Sequence, residues 1–190
     1  DKEISRSLKV KPDPRYQIDT KVLEANYALG HEIENLMKTF LESIEEIDKT
    51  TKAIKTVLGL AKDAKIEKKE ELSEKARALE KELKTLREKA IPDRDRQGIF
   101  DRSNAFGMDI FMLYREISGA IDPITQAQDV KYKKTRAKVV EFLKEYNKLF
   151  ETGVEDFKKS VKASGLTFFE PFEPLSLDKK SEVADEKKNS

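Results

Sequence analysis

Apolar residues recur at alternating intervals of three and four along four stretches of this chain, and this period constrains the fold more than any other feature. The first stripe consists of Met37, Phe40, Ile44, Ile47, Thr51, Ile54 and Leu58. Residues three and four apart share one face of an α-helix, so the stripe predicts a helix of about 40 residues with one buried side. Asp19 is expected to cap its N-terminus, because a carboxylate accepts hydrogen bonds from the free amides of the first turn.

Three further stripes follow along the chain. The second consists of Leu72, Ala76, Leu79, Leu83, Leu86 and Ala90. The third consists of Phe106, Ile110, Leu113, Ile117 and Ala120. The fourth consists of Ala137, Val140, Leu143, Asn147, Phe150, Val154, Phe157 and Val161. Each stripe predicts one more helix, and Pro92 is expected to end the second because a proline ring cannot continue a helix.

Local signals refine the fourth helix. Thr125 and Gln128 predict a capping box at its start, in which each side chain satisfies a free backbone amide of the other residue. Gly165 predicts its end, because glycine readily takes the left-handed conformation that follows many helices. Asn147 falls on the apolar stripe and is interpreted as a polar residue that fixes the packing register.

These patterns predict an all-α fold, namely an antiparallel four-helix bundle with long first and fourth helices. An alternative stacks the second and third helices end to end in a three-layer bundle, because their combined length roughly equals that of the first or fourth. The bundle is expected to span residues 17–166. Residues 1–16 begin with Asp and resemble the end of a β-strand from a preceding domain, so the chain is expected to be a fragment. Residues 167–190 combine an aromatic, proline-containing segment with a charged tail that is expected to be disordered.

The charge balance argues against nucleic acid as a partner. The chain has 38 Lys and Arg against 37 Asp and Glu, and such near-neutral, highly charged composition is typical of long helices with solvated outer faces. No apolar run approaches the length of about 18 residues that a membrane span requires. The basic cluster at 131–138 has an alternative interpretation as a phosphate-binding or acidic membrane-binding patch, but acidic residues follow it at once.

The composition favours no catalytic or metal chemistry in this chain. It has no cysteine, so neither a disulfide nor a thiolate zinc site is expected. Di-metal sites in helical bundles require Glu-x-x-His on two helices, whereas this chain has a single histidine, His31, and Ala28 stands three residues before it. There is also no glycine-rich phosphate loop. No catalytic residue, metal or cofactor is predicted.

Two groups of residues are predicted to form a docking surface. The loop PDRDRQGIFDR carries Arg94, Arg96 and Phe100, and the segment after the last helix carries Phe168, Phe169 and Phe172. Exposed aromatic and arginine side chains are typical anchors at protein interfaces. The simpler alternative is that the loop caps the bundle through Asp–Arg pairs and that the phenylalanines close its open end.

Three stretches resemble a known family. They are VKPDPR with the following segment Ile18–Asn26, LYREISGAIDPITQAQ at Leu113–Gln128, and FKKSVKASGL at Phe157–Leu166. Together they resemble the C-terminal helical region of bacterial sortilin-like proteins with BNR (Asp-box) β-propeller repeats, which are described as glycosyl hydrolase-like or sialidase-like. The Asp-box itself is absent from this chain.

The resemblance implies a non-catalytic accessory module of a larger secreted, periplasmic or cell-envelope protein. Its partner would be the upstream propeller or β-sandwich of the same protein, or another protein, and any carbohydrate chemistry would belong to the propeller. The alternative is an autonomous protein that binds a partner or forms a homodimer as a coiled coil through its first and fourth helices.

Overall fold

The computed structural model describes residues 4–11, 13, 15, 19–63, 68–91 and 106–166. The helices are α1 (Thr20–Asp63), α2 (Lys69–Ala90), α3 (Gly107–Ile117), α4 (Gln126–Leu149) and α5 (Glu155–Ala163). A π-helical segment, Phe150–Val154, joins α4 and α5 into one continuous helix of 38 residues. We call this segment the π turn. The described residues contain no strand, and residues 4–11 are exposed and take neither helix nor strand.

The all-α prediction with long first and fourth helices is confirmed. Helix α1 has 44 residues, which corresponds to about 66 Å of helix, and it packs along α4. Parallel alignment of the two long helices is shown by their side-chain partners. The Tyr132 hydroxyl donates to Glu32 Oε2 at 2.7 Å near the start of both helices, and Val57 and Phe157 line one groove near their ends.

Helices α2 and α3 both run antiparallel to α1 and follow each other along it. Arg87 Nε lies 2.8 Å from Asp48 Oδ1, which places the end of α2 near the middle of α1. The α3–α4 connection lies beside the start of α1, at Asn26. Where α2 ends and α3 begins, a Cβ on Gly107 would lie 3.0 Å from the carbonyl oxygen of Ala90. Of the two predicted arrangements, the structure therefore has three layers, with α2 and α3 end to end.

The predicted stripes of the first three helices form most of the core. All six residues of the second stripe are buried, as are the first four of the third. On α1, Phe40, Ile44, Ile47 and Ile54 of the predicted stripe are buried. Met37 and Leu58, at its two ends, are partly buried and pack against the core. An aromatic cluster joins three helices: the ring centroids of Phe40, Phe106 and Phe142 lie 5.5–5.7 Å apart, within the favourable range for aromatic pairs.

Three of the first four residues of the fourth stripe were predicted wrongly, whereas Leu143 packs against the core from a partly buried position. Ala137 and Asn147 are exposed, and Val140 is 37% exposed. The buried residues are instead Thr135, Val139 and Phe142. The π turn is the physical reason, because it adds one residue to the helix and so rotates everything before it by about 100° relative to an unbroken α-helix. The interpretation of Asn147 as a register-fixing core residue is therefore wrong.

The predicted helix ends are confirmed where they are described. The Lys21 backbone amide donates to Asp19 Oδ1 at 2.9 Å. Thr125 and Gln128 form the capping box, with the Gln128 amide donating to the Thr125 hydroxyl at 3.2 Å and the Thr125 amide donating to Gln128 Oε1 at 2.8 Å. Gly165 has a φ of 69°, in the left-handed region. Helix α2 ends at Ala90, and Pro92 lies outside the described residues.

Candidate functional site

The predicted docking residues cannot be placed on the bundle. Arg94, Arg96, Phe100, Phe168, Phe169 and Phe172 all lie outside the described residues, as does the charged tail. Their role in docking stays a prediction.

His31 is exposed on α1. Its Nδ1 lies 3.1 Å from Glu34 Oε2 on the same helix, and its ring stands edge-on to Tyr27 with the centroids 4.5 Å apart. Among the described residues, no three His, Cys, Asp or Glu side chains group in a way that could hold a metal ion. The helices in these ranges also include none with the length and apolarity needed to cross a membrane.

The basic cluster at 131–138 is largely engaged in ion pairs. Lys131 Nζ lies 2.7 Å from Glu116 Oε1, Lys133 Nζ lies 2.7 Å from Asp129 Oδ2, and Lys138 Nζ lies 3.7 Å from Asp109 Oδ2. These carboxylates reduce the local positive potential, which weakens the interpretation of the cluster as a phosphate-binding patch. The pairs from Lys131 and Lys138 join α4 to α3.

Asn26 is a buried polar residue that holds the α3–α4 connection. Its Nδ2 donates to the carbonyl oxygens of Ala120 at 2.9 Å and Asp122 at 2.8 Å. Two backbone acceptors in a segment without helix or strand are thereby satisfied by one side chain.

The outer face of α3 carries an apolar surface that the sequence analysis missed. Met108, Phe111 and Met112 are 64%, 47% and 40% exposed. They are spaced i, i+3 and i+4, so they lie on one side of the helix. We call this surface the α3 ridge. Helix α3 is therefore apolar on two sides, since Ile110, Leu113 and Ile117 on its other side are fully buried.

The α3 ridge is held rigidly on the bundle. The ion pairs of Asp109 and Glu116 to α4 lie one turn before and one turn after Met112. A fully buried stripe anchors the other side of the helix. The signal was present in the sequence, because Met108, Phe111 and Met112 form a second stripe next to the first. Period analysis that assigns one apolar face to each helix does not detect it.

A second apolar surface lies between α1 and the end of the long fourth helix. It is a groove with a volume of about 540 Å³, which we call the α1–α5 groove. Its walls include Ile54, Val57, Val154, Phe157 and Val161, and Leu166 lies at one end. A volume in the range of about 300–1,000 Å³ with mainly apolar walls is typical of binding sites.

The rim of the α1–α5 groove is charged, and nearby carboxylates pair with two of its three lysines: Lys49 Nζ lies 2.8 Å from Glu45 Oε1 and Lys158 Nζ lies 2.7 Å from Glu155 Oε1. Lys49, Lys158 and Lys162 line it together with Glu46. The hydrogen bond from Lys49 to Glu45, at 2.8 Å, raises the pKa of that ammonium group. Burial raises the pKa of the nearby Tyr146 phenol, and the negative charge of Glu46 raises it further. Tyr146 thus stays neutral at neutral pH.

Comparison with protein-family models, with curated proteins and with solved structures finds no match to this chain.

Proposed function

We propose that this chain is a non-catalytic helical interaction module that binds a protein surface through the α3 ridge. The observation that supports this proposal is the set of three large apolar side chains exposed side by side on one short helix. Adjacent exposed apolar side chains are typical of interaction sites, whereas singly scattered ones are not.

The chemistry of the α3 ridge suits a protein partner. Phe111 offers a rigid aromatic anchor of the kind enriched at the centre of interfaces. Met108 and Met112 flank it with unbranched, polarizable side chains that adapt to the shape of a partner. Covering each of these partly exposed side chains would stabilise a complex by on the order of 1 kcal/mol. The buried stripe of α3 already fixes the backbone, so little conformational entropy is lost on binding.

The partner that we propose is an upstream domain of the same, larger protein. The resemblance of three stretches to the helical region of sortilin-like, BNR-repeat proteins supports this choice, and it carries with it a secreted, periplasmic or cell-envelope location. In such a protein the module would pack against a β-propeller or β-sandwich. The reaction of the parent protein, if it has one, would take place in those domains.

Self-association is the second candidate. Tyr27 on α1 and Val140 on α4 are exposed, and Leu41 on α1 is 52% exposed, so both long helices carry some apolar surface toward solvent. However, the continuous apolar faces of these helices are used inside the bundle, where Phe40, Ile47 and Phe142 are buried. A coiled-coil dimer would have to use the outer faces, which are mainly charged.

A photo-cross-linking amino acid at position 111 of the natural protein, in the cells that make it, tests the proposal. The matched control places the same group at Leu41, which is similarly exposed but lies on α1. We expect cross-linked peptides at position 111 well above those at position 41, and Phe111 is exposed enough that the substitution should leave the fold intact. Mass spectrometry of the cross-linked peptides then identifies the partner.

The outcomes separate the candidates. A peptide from an upstream domain supports the accessory module, and one from a different protein supports an interaction module with another partner. A peptide from a second copy of this chain supports self-association. Equal cross-linking at positions 111 and 41 would show that the α3 ridge is not a binding surface and would overturn the proposal.

A further inference from the structure

We infer that the α1–α5 groove is a docking site for this chain's own segment 167–177, TFFEPFEPLSL, which binds back along the two helices as an intramolecular ligand. The inference goes beyond the proposed function and does not depend on the α3 ridge. It rests on where the described chain ends, and on the shape and the apolar walls of the groove.

The end of α5 directs the chain into the groove. Gly165, with its φ of 69°, reverses the chain direction after the helix, as is common at helix C-termini. The next residue, Leu166, lines the groove beside Val161 and packs against the core. Residue 167 therefore starts at the mouth of the groove rather than at a distance from it.

The lengths of the segment and the groove match. Between Val161 and Phe150, which both line the groove, the helix rises by about 16 Å. An extended chain advances by up to about 3.3–3.6 Å per residue, so Phe168 can lie about 7 Å and Phe172 about 20 Å beyond Leu166. The three phenylalanines of the segment can thus be distributed along the whole groove.

The chemistry of the segment complements that of the groove. Phe168, Phe169 and Phe172 would pack between the apolar walls of the groove, which include Val57, Val154 and Phe157. Residues 167–177 contain two glutamates, Glu170 and Glu173, and no lysine or arginine. Their carboxylates would lie near the rim lysines, but Lys49 and Lys158 already pair with Glu45 and Glu155. Apolar contact rather than charge would therefore contribute most of the binding.

The two prolines of the segment also favour this binding. Pro171 and Pro174 have no backbone N–H and restrict their own φ and the conformation of the residues before them. Such a segment loses less conformational entropy when it binds in an extended form. A ligand tethered directly at the groove has an effective concentration in the millimolar range, so even weak binding would keep the groove occupied.

A partner with similar aromatic and acidic chemistry would have to displace this segment. The α1–α5 groove would then be occupied in the free protein and open only when such a partner competes. Occupation by a second copy of the chain is the main alternative, and the experiment is designed to detect it.

Disulfide trapping in the full chain tests the inference, because the natural sequence has no cysteine to interfere. One cysteine replaces Glu170 in the segment, so that all three phenylalanines remain. The other replaces Ala53, an exposed residue of α1 that lines the groove. The matched control pairs Glu170→Cys with Glu71→Cys on α2, since Glu71 lines a different hollow beside Ser164 and is also close to the end of α5.

Under mild oxidation at low protein concentration, we expect the 53–170 pair to form an intramolecular disulfide on the order of tenfold faster than the 71–170 pair. Phe168→Ala with Phe172→Ala, added to the 53–170 pair, should remove this preference. These substitutions leave every described residue of the bundle unchanged, and circular dichroism checks that helix content is retained.

Equal rates for the two pairs would overturn the inference, because they would show that the segment samples both sides of the bundle end equally. Predominantly intermolecular disulfides from the 53–170 pair would also overturn it, since the groove would then take the segment of a second copy. A preference for the 53–170 pair that survives both alanine substitutions would show that the phenylalanines do not anchor the segment. Any of these results leaves the α3 ridge untouched.

Discussion

Helix α2 and the long helix formed by α4 and α5 both line the core, but the spacing of their buried residues along the sequence differs. In α2 the six buried residues follow one another at intervals of four and three, as in a regular α-helix. In the long helix, Phe142, Tyr146, Phe150 and Val154 follow at three successive intervals of four. The π turn holds the added residue and brings both halves back onto the core.

The π turn also permits a close approach between these two helices. A Cβ on Gly153 would lie 3.0 Å from Leu149 Cδ1 and 3.3 Å from Leu79 Cδ1, so glycine allows α2 to pack close to the long helix at this point. The comparison shows that an apolar period is a local property. It predicts the buried face correctly as far as the helix stays regular and no further.

Single-residue deletions offer the strongest test of this difference. Deleting Lys144, which is exposed in α4, should rotate Thr135, Val139 and Phe142 off the core by about 100° while the π turn persists. If the π turn became regular helix instead, Tyr146 and Phe150 would rotate off the core. We expect a loss of about 5 kcal/mol or more in the free energy of unfolding. Deleting Thr152 from the π turn should convert the turn to regular helix and keep both faces in phase, at a cost on the order of 1 kcal/mol.

Chemical denaturation of the two deletion variants gives these free energies directly. Circular dichroism on the same samples checks that helix content is retained. If both deletions destabilise the protein equally, the π turn does not set the phase of α4.

Core truncations compare the two helices at single positions. Leu83 in α2 is fully buried, and Leu83→Ala should reduce the free energy of unfolding by about 2–5 kcal/mol through lost contacts and a cavity. Val140 in α4 lies on the stripe predicted from the sequence but is exposed, and Val140→Ala should change stability by less than about 0.5 kcal/mol. Urea unfolding measures both. A large loss for Val140→Ala would restore the predicted register.

Two asparagines, Asn26 and Asn147, test which polar side chain stabilises the position of α4. Asn26 is buried and donates two hydrogen bonds to the connection that leads into α4, so Asn26→Ala should cost about 1–3 kcal/mol. Asn147 is exposed, so Asn147→Ala should stay within about 0.5 kcal/mol of the natural protein. Thermal or urea unfolding of each single variant distinguishes them, and the reverse order of effects would contradict the structure.

The pKa values of the two tyrosines in α4, Tyr132 and Tyr146, test the rotation of α4, and the expected effects are the smallest of those predicted. Burial raises the pKa of Tyr146, with a further contribution from Glu46, and burial with a hydrogen bond to Glu32 raises that of Tyr132. The folded state therefore holds these phenolic protons more tightly than the unfolded state does. Their contribution to stability is complete below the ordinary tyrosine pKa of about 10 and is lost as the pH rises above it.

NMR titration of ¹³C-labelled tyrosine follows the ionisation of each ring separately, whereas ultraviolet absorbance would sum the five tyrosines of the chain. Glu46→Gln should lower the pKa of Tyr146 and leave that of Tyr132 unchanged. Glu32→Gln should lower the pKa of Tyr132 and leave that of Tyr146 unchanged. If Glu46→Gln has no effect on Tyr146, the two side chains do not face each other and the rotation of α4 described here is wrong.

The sequence predicted much of the bundle because its helices carry strong local signals. The stripe from Leu72 to Ala90 is buried at every position, and the ends marked by Asp19, Thr125 and Gly165 are where the pattern placed them. The candidate sites were harder to predict. The α3 ridge was missed because an exposed second stripe looks like a core stripe in the sequence, and the predicted docking residues lie outside the described part of the chain.

What the sequence determined by itself was local: the helical period, the caps and the near balance of charge. These follow from contacts between residues three or four apart and from hydrogen bonds within one turn. Only the tertiary structure decided that α2 and α3 lie end to end, that a π turn rotates the first half of α4, and that Met108, Phe111 and Met112 face solvent. Each of these depends on which helices are neighbours. Contacts between residues far apart in the chain, such as the hydrogen bond from Asn26 to the carbonyl oxygen of Asp122, help to determine which helices pack together.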